Sequence, residues 1–446
     1  MYIKLIQPKM EKRPMDTDIK IHMAPPLGLL TIVNILRDKH EVTIENENIQ
    51  EICYDDTPDI VGISVTVDVL PRAIKIAEQF RKRNIPVVAG GIHITTAFDT
   101  IPEDCFDVLC IGAAEGTWPD IVSDFQDGSL KKLYRCRNTI CGDDIVSPAY
   151  DILKKSEYLY CNVVHTSRGC PFRCDFCYNS GKERLYINRR IEDVIADIRA
   201  VKSKHIMFID DNFAGNRRWT VEFLRAISPM KLKWNAAVSI NAAFDTELLD
   251  LMAESGCQSL FIGFESINSE SVGNVNKVQN KTEKYEDAVK AIHDRGIMIN
   301  GSFVFGLDGD TIDTFDKTLD WIVKNRIETV TSHILTPYPG TELYNRLKEQ
   351  GRIITDDLSL YNTSHVVFRP LGMSAEELYK GYIDIYKKIY SFRNIIRRIP
   401  KAKKQVAPYL LFNFMYRKFG KFTDLLCKLI TYKRIGIWAE KLSRYL

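Results

Sequence analysis

Nowhere in its 446 residues does the chain run for the about eighteen uncharged apolar residues that a membrane span requires. Its first residues, Met1-Tyr2-Ile3-Lys4-Leu5-Ile6, lack the charged region, apolar stretch and cleavage site of a signal peptide. A cytoplasmic, reducing setting is therefore expected, in which the eleven cysteines stay free for metal. The phosphate-binding fingerprint G-x-G-x-x-G is missing after the first apolar run. Gln7-Pro8-Lys9-Met10 stands there instead and argues against NAD. There is no aromatic-interleaved nucleic-acid module, so no nucleic acid is expected as a partner. No low-complexity tract occurs, and the only repetition is an alternation of strand and helix patterns. Acid is scarce at one end: sixteen of the 61 Lys/Arg but only two of the 58 Asp/Glu, Asp424 and Glu440, fall from Lys387 onward. An acidic body thus carries a basic tail.

What is present is dominated by three cysteines. Ser167-Arg168-Gly169-Cys170-Pro171-Phe172-Arg173-Cys174-Asp175-Phe176-Cys177 spaces Cys170, Cys174 and Cys177 as C-x3-C-x2-C. Three thiolates on one short loop can ligate three irons of a [4Fe–4S] cluster and leave the fourth open, whereas ferredoxin clusters are closed by four cysteines. Zinc would ask for a second C-x2-C pair, and none follows. Cys105/Cys110 and Cys136/Cys141 fit no ligand spacing and read as idle or buried thiols.

Two series of short apolar runs with helical patterns between them predict parallel βαβ units. The first has strands near 2–6, 41–44, 60–65, 86–89 and 108–111. The second has strands near 160–166, 205–210, 233–239, 259–265, 298–307 and 329–335. Four regions follow: 1–140 as a Rossmann-like domain, 141–158 as a linker, 159–345 as a six-stranded βα barrel too short to close, and 346–446 as a mostly helical, basic region. The fold class is α/β, and chemistry is expected at the carboxyl ends of the strands.

The cysteine loop, with Phe176 before the third cysteine, resembles the signature of the radical S-adenosylmethionine (SAM) enzymes. That resemblance implies a partial (β/α)6 barrel in which Cys170, Cys174 and Cys177 act as metal and catalytic residues. It also implies SAM contacts from Phe176, from Asp210 or Asp211 toward the ammonium, from Ser239, and from Glu265 toward the ribose. Asp210 and Asp211 could instead cap the following helix, and Ser239 could be an ordinary strand-end polar residue. For Glu265 an acid ending an apolar run is hard to explain by packing.

The strand ends of the first series carry Leu27-Gly28, Ser64-Val65-Thr66, Gly90-Gly91-Ile92-His93 and Gly112-Ala113-Ala114-Glu115-Gly116. In this order they resemble the cobalamin-binding domain of cobalamin-dependent radical SAM enzymes. Leu27, Gly28, Ser64, Thr66, Gly90, Gly91, His93, Gly112 and Glu115 are the implied cobalamin residues. The D-x-H-x-x-G motif that supplies a cobalt-ligating histidine elsewhere is absent, so His93 is expected at the corrin periphery or as an ordinary loop histidine. Where the family often has Gly-Glu-Gly-Glu, this chain retains Glu115 but has Thr117.

The resemblance implies a methyltransferase acting on an unactivated carbon by way of a 5′-deoxyadenosyl radical and methylcobalamin. Cobalamin-assisted oxidation, cyclisation or rearrangement is the alternative within enzymes, and a cluster- and cobalamin-binding sensor the alternative outside them. The substrate would be a small molecule, lipid or peptide, and the electron would come from a reductant such as flavodoxin or ferredoxin. In the tail, Met415, Phe419, Phe422, Leu426 and Leu429 recur at helical spacing beside Lys418, Lys421 and Lys428. This pattern suits either a helix capping the barrel or peripheral contact with an anionic membrane.

Overall fold

In a computed structural model, the structure describes residues 1–16, 24–136, 140–158, 160–180 and 186–417. Most of the tail pattern between 415 and 429 lies outside the described residues.

Six strands build the first sheet: β1 (Tyr2–Gln7), β2 (Glu41–Asn46), β3 (Ile60–Ser64), β4 (Val87–Gly90), β5 (Val108–Ile111) and β6 (Leu133–Arg135). Their order is β2-β1-β3-β4-β5-β6 and every pairing is parallel. The central strands are apolar and buried because helices cover both faces, among them Leu27–Leu36, Leu70–Arg81 and Trp118–Gln126. The order reverses between β1 and β3, which opens a crevice at their carboxyl ends. The short β6 was not among the expected strands, since three residues with Leu133 exposed carry no readable alternation.

The second sheet starts with β7 (Val163–Val164). After a hairpin of β8 (Ser167–Gly169) and β9 (Tyr186–Asn188) come β10 (His205–Phe208), β11 (Lys233–Val238), β12 (Cys257–Glu265), β13 (Met298–Phe305) and β14 (Thr329–Ile334). The order β14-β13-β12-β11-β10-β7 follows the chain, all parallel, with no described pairing between the two outer strands. This is the incomplete barrel expected. Its first strand is shorter than the run 160–166 predicts, because the Asp210 carboxylate captures the backbone N–H groups of Thr166 and Ser167 and ends the ladder.

Helices pack outside through an aromatic cluster of Phe208, Phe213, Phe223 and Trp234, with ring centroids between 5.1 and 6.0 Å apart. Helix starts follow the usual chemistry. Asn216 and Asp245 accept N–H bonds from Trp219 and Leu248, and Ser374 with Glu377 forms a capping box. The C-terminal helices seal the foot of β14. Arg398, fully buried, donates to the carbonyls of Ile327 (2.8 Å), Glu328 (3.1 Å) and Ile389 (2.8 Å) and to Asn413 Oδ1 (3.1 Å). Among the described residues no helix is long and apolar enough to cross a membrane.

Candidate functional site: a cysteine loop facing a glycine-rich sheet edge

Cys170, Cys174 and Cys177 follow β8 directly, at the carboxyl end of the barrel. The Cys177 N–H donates to the Cys174 carbonyl at 3.0 Å, which folds the loop into a turn. Segment 274–280 clasps it from outside. Asp175 N–H donates to Val275 O (3.1 Å), Asn276 donates to Arg173 O (2.8 Å), and Gln279 Nε2 lies 3.6 Å from Cys174 Sγ. The three thiols sense one another electrostatically. Burial raises the proton affinity of all three, that of Cys177 to about 12, while Lys277 works in the opposite direction at Cys170 and Cys174. Iron ligation needs thiolates, so positive charge must arrive with the metal itself. Among the described residues no group of three His, Cys, Asp or Glu converges on one point as a single ion demands. A cluster does not require that, because each cysteine takes a different iron.

Two acids of the expected SAM set separate in role. Asp210 Oδ1 receives Thr166 N and Oγ1 (2.8 and 2.9 Å) and Ser167 N and Oγ (2.5 and 2.6 Å), and its Oδ2 is buried without a partner. Asp210 therefore shapes the strand end rather than presenting a free carboxylate to the ammonium. Asp211 is open to water, yet surrounding protein desolvates it and raises its proton affinity, as on the wall of a hollow. The neighbouring Asn212 is buried and bonds Ser239 Oγ (3.2 Å) and the Cys170 thiol. Ser239 itself is half-buried.

Glu265 ends β12 at a bulge with φ of +62°, a strained value for a residue with a side chain. Asn280 and Tyr285 hold the bulge by donating to Phe264 O at 3.0 and 2.8 Å. The Glu265 carboxylate is buried and ion-paired with Lys277, whose ammonium lies 5.9 Å from the centre of the Phe176 ring. A side chain at Gly263 would meet the ends of both side chains and have to displace this pair. Lys277 thus stands between Glu265 and the thiols. Neither Lys277 nor Asn212 was singled out by sequence reasoning. Asn212 adjoins the two aspartates and could have been included, whereas Lys277 is one lysine in a loop with no local signature.

The edge of the first sheet is of another kind. Gly28, Gly91 and Gly112 are exposed, Ser64, Thr66 and Gly90 are half-buried, and no atom lies within 4 Å of where a side chain on Gly28 would begin. Gly91 has φ of +106°, and a Cβ there would sit 2.8 Å from the Val65 backbone. Thr66 Oγ1 donates to Asp68 (2.7 Å). His93 is 3 % exposed, Nε2 has no partner, and burial lowers its pKa to about 4, so the imidazole is neutral at pH 7. Leu27 packs against the barrel core. Glu115 departs from expectation. Its carboxylate is occupied by Arg168, at 2.6 and 3.0 Å, and by the Val146 N–H at 3.2 Å, so it faces β8.

Both sites fit their implied groups. Desolvated, largely buried thiols, unpartnered Ser180 Oγ and Gln279 Oε1, and an acid on a hollow suit a cluster with a charged ligand. A bare glycine edge with one unpartnered imidazole nitrogen suits a broad planar ligand. A surface hollow lined by Ile267, Trp321, Lys324 and Arg397 contains none of these side chains.

Comparison with known proteins bears on the whole arrangement. The radical SAM superfamily matches residues 164–322, the B12 binding domain 22–122, and a domain of unknown function, DUF4070, 341–441. The chain belongs to the B12-binding radical SAM enzymes. Its cofactors are a [4Fe–4S] cluster, SAM and cobalamin. Bacteriochlorophyllide d C-12(1)-methyltransferase of Chlorobaculum tepidum is 28% identical over 410 residues, spanning 89% of this chain and 88% of that protein. The hopanoid C-2 methylase of Rhodopseudomonas palustris is 27% identical across 77% of this chain and 68% of its own length. An anaerobic magnesium-protoporphyrin IX monomethyl ester cyclase of Cereibacter sphaeroides is 24% identical across 78% of this chain and 62% of its own length. The fold is shared with the cobalamin-dependent SAM radical enzyme OxsB (TM-score 0.68, 14% identity, 100% of this chain and 80% of that one). It is shared too with the methyltransferase TsrM of Kitasatospora setae (TM-score 0.63, 18% identity, 85% of each chain).

Proposed function

We propose that this B12-binding radical SAM enzyme is a methyltransferase that places a methyl group on an unactivated carbon of a polycyclic, largely apolar small molecule. The observation that carries methyl transfer is the 28% identity, through both cofactor-binding regions, to a protein with that activity. When bound, the cofactors supply radical formation and a transferable methyl group.

The chain supplies the geometry. Cys170, Cys174 and Cys177 hold three corners of the cluster. Asp211 accepts from the SAM ammonium. Glu265 takes the ribose hydroxyls while Lys277 keeps its charge compensated. Ser239, held by Asn212, and Phe176 line the same hollow. Leu27, Gly28, Ser64, Thr66, Gly90, Gly91 and Gly112 form the bed for the corrin, and neutral His93 donates or accepts at its edge without ligating cobalt. The chain divides into four regions, 1–140, 141–158, 159–345 and 346–446, works in a cytoplasmic setting and takes its electron from an external one-electron reductant.

Peripheral contact with an anionic membrane completes it. Phe392 and Ile396 are 52% and 65% exposed, with Arg393 and Arg397 exposed beside them. No acid occurs between Ile385 and Arg417. Such a surface suits delivery of an apolar substrate from lipid.

Anaerobic turnover with cell lipid and pigment fractions tests the reading. Formation of both S-adenosylhomocysteine and 5′-deoxyadenosine, with a methylated product, is the expected result. 5′-Deoxyadenosine alone, with a product of unchanged carbon count, would move the enzyme to the cyclase-like alternative.

A further inference from the structure

One carboxylate bridges the two cofactor regions. Glu115 lies on the turn after β5, at the glycine-rich edge of the first sheet. Arg168 lies on β8, two residues before Cys170. Their contact is a fork: Arg168 Nη2 donates to Glu115 Oε1 at 2.6 Å and Nη1 to Oε2 at 3.0 Å. The Glu115 side chain is 7% exposed and that of Arg168 25%. Oε1 also accepts the backbone N–H of Val146, in the segment that joins the two sheets. One carboxylate therefore gathers the cobalamin-side turn, the connecting segment and the strand that delivers the first cysteine.

The cluster strand is pinned on its other side as well. Arg168 is paired across the hairpin with Ile187, and the Gly169 N–H donates to Asp211 on the wall of the SAM hollow. A displacement of Glu115 is thus transmitted along three consecutive residues to Cys170. A two-point fork fixes orientation as well as distance, which a lysine in place of Arg168 would not do.

We propose that Glu115 and Arg168 are a positioning pair that sets the spacing between the cobalamin bed and the cluster loop. The proposal rests on the family reading for the identity of the two cofactors, and on the geometry alone for the link itself. Neither residue touches a reacting atom in this scheme, and Glu115 is not a cobalamin ligand.

The test uses the full chain, loaded anaerobically with cluster and cobalamin. Both cob(II)alamin and the reduced cluster are paramagnetic, so the relaxation enhancement of one by the other reports their separation. In E115Q, R168Q and the double variant, iron content and cobalamin affinity should stay at the parent level. Each single variant should lose the parent's relaxation enhancement, and the double variant should lose no more than either single, as two members of one contact require. Unchanged enhancement in both singles overturns the proposal. A loss of cobalamin affinity in E115Q but not in R168Q overturns it too, because Glu115 would then be a cobalamin ligand. Hydrogen exchange on the cofactor-free chain gives a second arm. Amides of the turn 112–117 and the strand 167–169 should exchange about tenfold faster in both singles, the scale expected for losing a charge-assisted bond. Unchanged exchange overturns the link directly. Should the parent bind no cobalamin, the functional reading falls while this arm still judges the pair.

Discussion

The two sheet edges that face each other differ in how they hold charge. The barrel edge carries Asp210, Asp211, Glu265, Lys277 and three thiols, and most of these are committed to a named partner. The edge of the first sheet presents glycines, two hydroxyls and a neutral histidine; of its acids, Asp68 takes the Thr66 hydroxyl and Glu115 turns away to Arg168. An edge that grips a small ligand by its charges calls for ion pairs at fixed points. An edge that accepts a broad ring calls for the absence of side chains. Recognition by charge leaves residues that stand out in a sequence, whereas recognition by flatness leaves only gaps.

The sharpest way to break this comparison is at the thiols. Replacing Cys170, Cys174 and Cys177 together by alanine should abolish bound iron, the cluster absorbance and 5′-deoxyadenosine formation. Full iron content in that variant would remove the barrel edge from cluster chemistry.

The next effect belongs to the other edge. The pKa of His93 is lowered from 6.5 to about 4 by burial, so the unfolded chain takes a proton that the folded chain refuses. Stability is intact above pH 6.5 and falls as pH drops toward 4, by on the order of 3 kcal/mol from this residue. Urea titrations of His93→Gln should therefore show a flatter decline over that window than the parent. A parallel decline would mean that the imidazole is not held neutral. In the cob(II)alamin form the parent should also lack nitrogen splitting from an axial base, and splitting that vanishes in the variant would make His93 a cobalt ligand.

Glu265→Gln should weaken SAM binding about tenfold, the loss of a charge-assisted bond worth roughly 1.5–3 kcal/mol, with iron content unchanged. Calorimetry on the reconstituted protein reads it, and unchanged affinity would free Glu265 from the ribose. The smallest effect is at the surface. Reversing Arg393 and Arg397 to glutamate should weaken co-sedimentation with anionic vesicles by about 1 kcal/mol per charge, and salt should do the same to the parent. A parent that never sediments would return this face to an ordinary solvated one.

Much of the barrel edge was legible beforehand, because the C-x3-C-x2-C spacing and an acid after an apolar run each conflict with plain packing. The parallel alternation of strand and helix was legible wherever apolar runs lie between helical patterns. Four things were not. Asp210 or Asp211 is expected either toward the ammonium or as a helix cap, whereas Asp210 organises Thr166 and Ser167 from a strand away, and no local pattern distinguishes it from Asp211. Lys277 acquires its place only when the loop after β12 folds back over the cysteines. Glu115 was assigned by its position in a motif, while its partner Arg168 sat inside another motif and was overlooked. The hairpin of β8 and β9 joins two three-residue strands, too short for any periodicity to register.

Arg398 and Asn413 have a consequence for the order of biosynthesis. The carbonyl of Glu328, at the foot of the last barrel strand, is satisfied by groups that lie 70 and 85 residues further along the chain. A ribosome adds residues at about 5–20 per second, so a chain that has already made every barrel strand waits several seconds for these two side chains. During that interval the thiols of the cysteine loop exist on an unfinished barrel. Insertion of an air-sensitive cluster is then best timed after release, when the last helices have closed the floor beneath it.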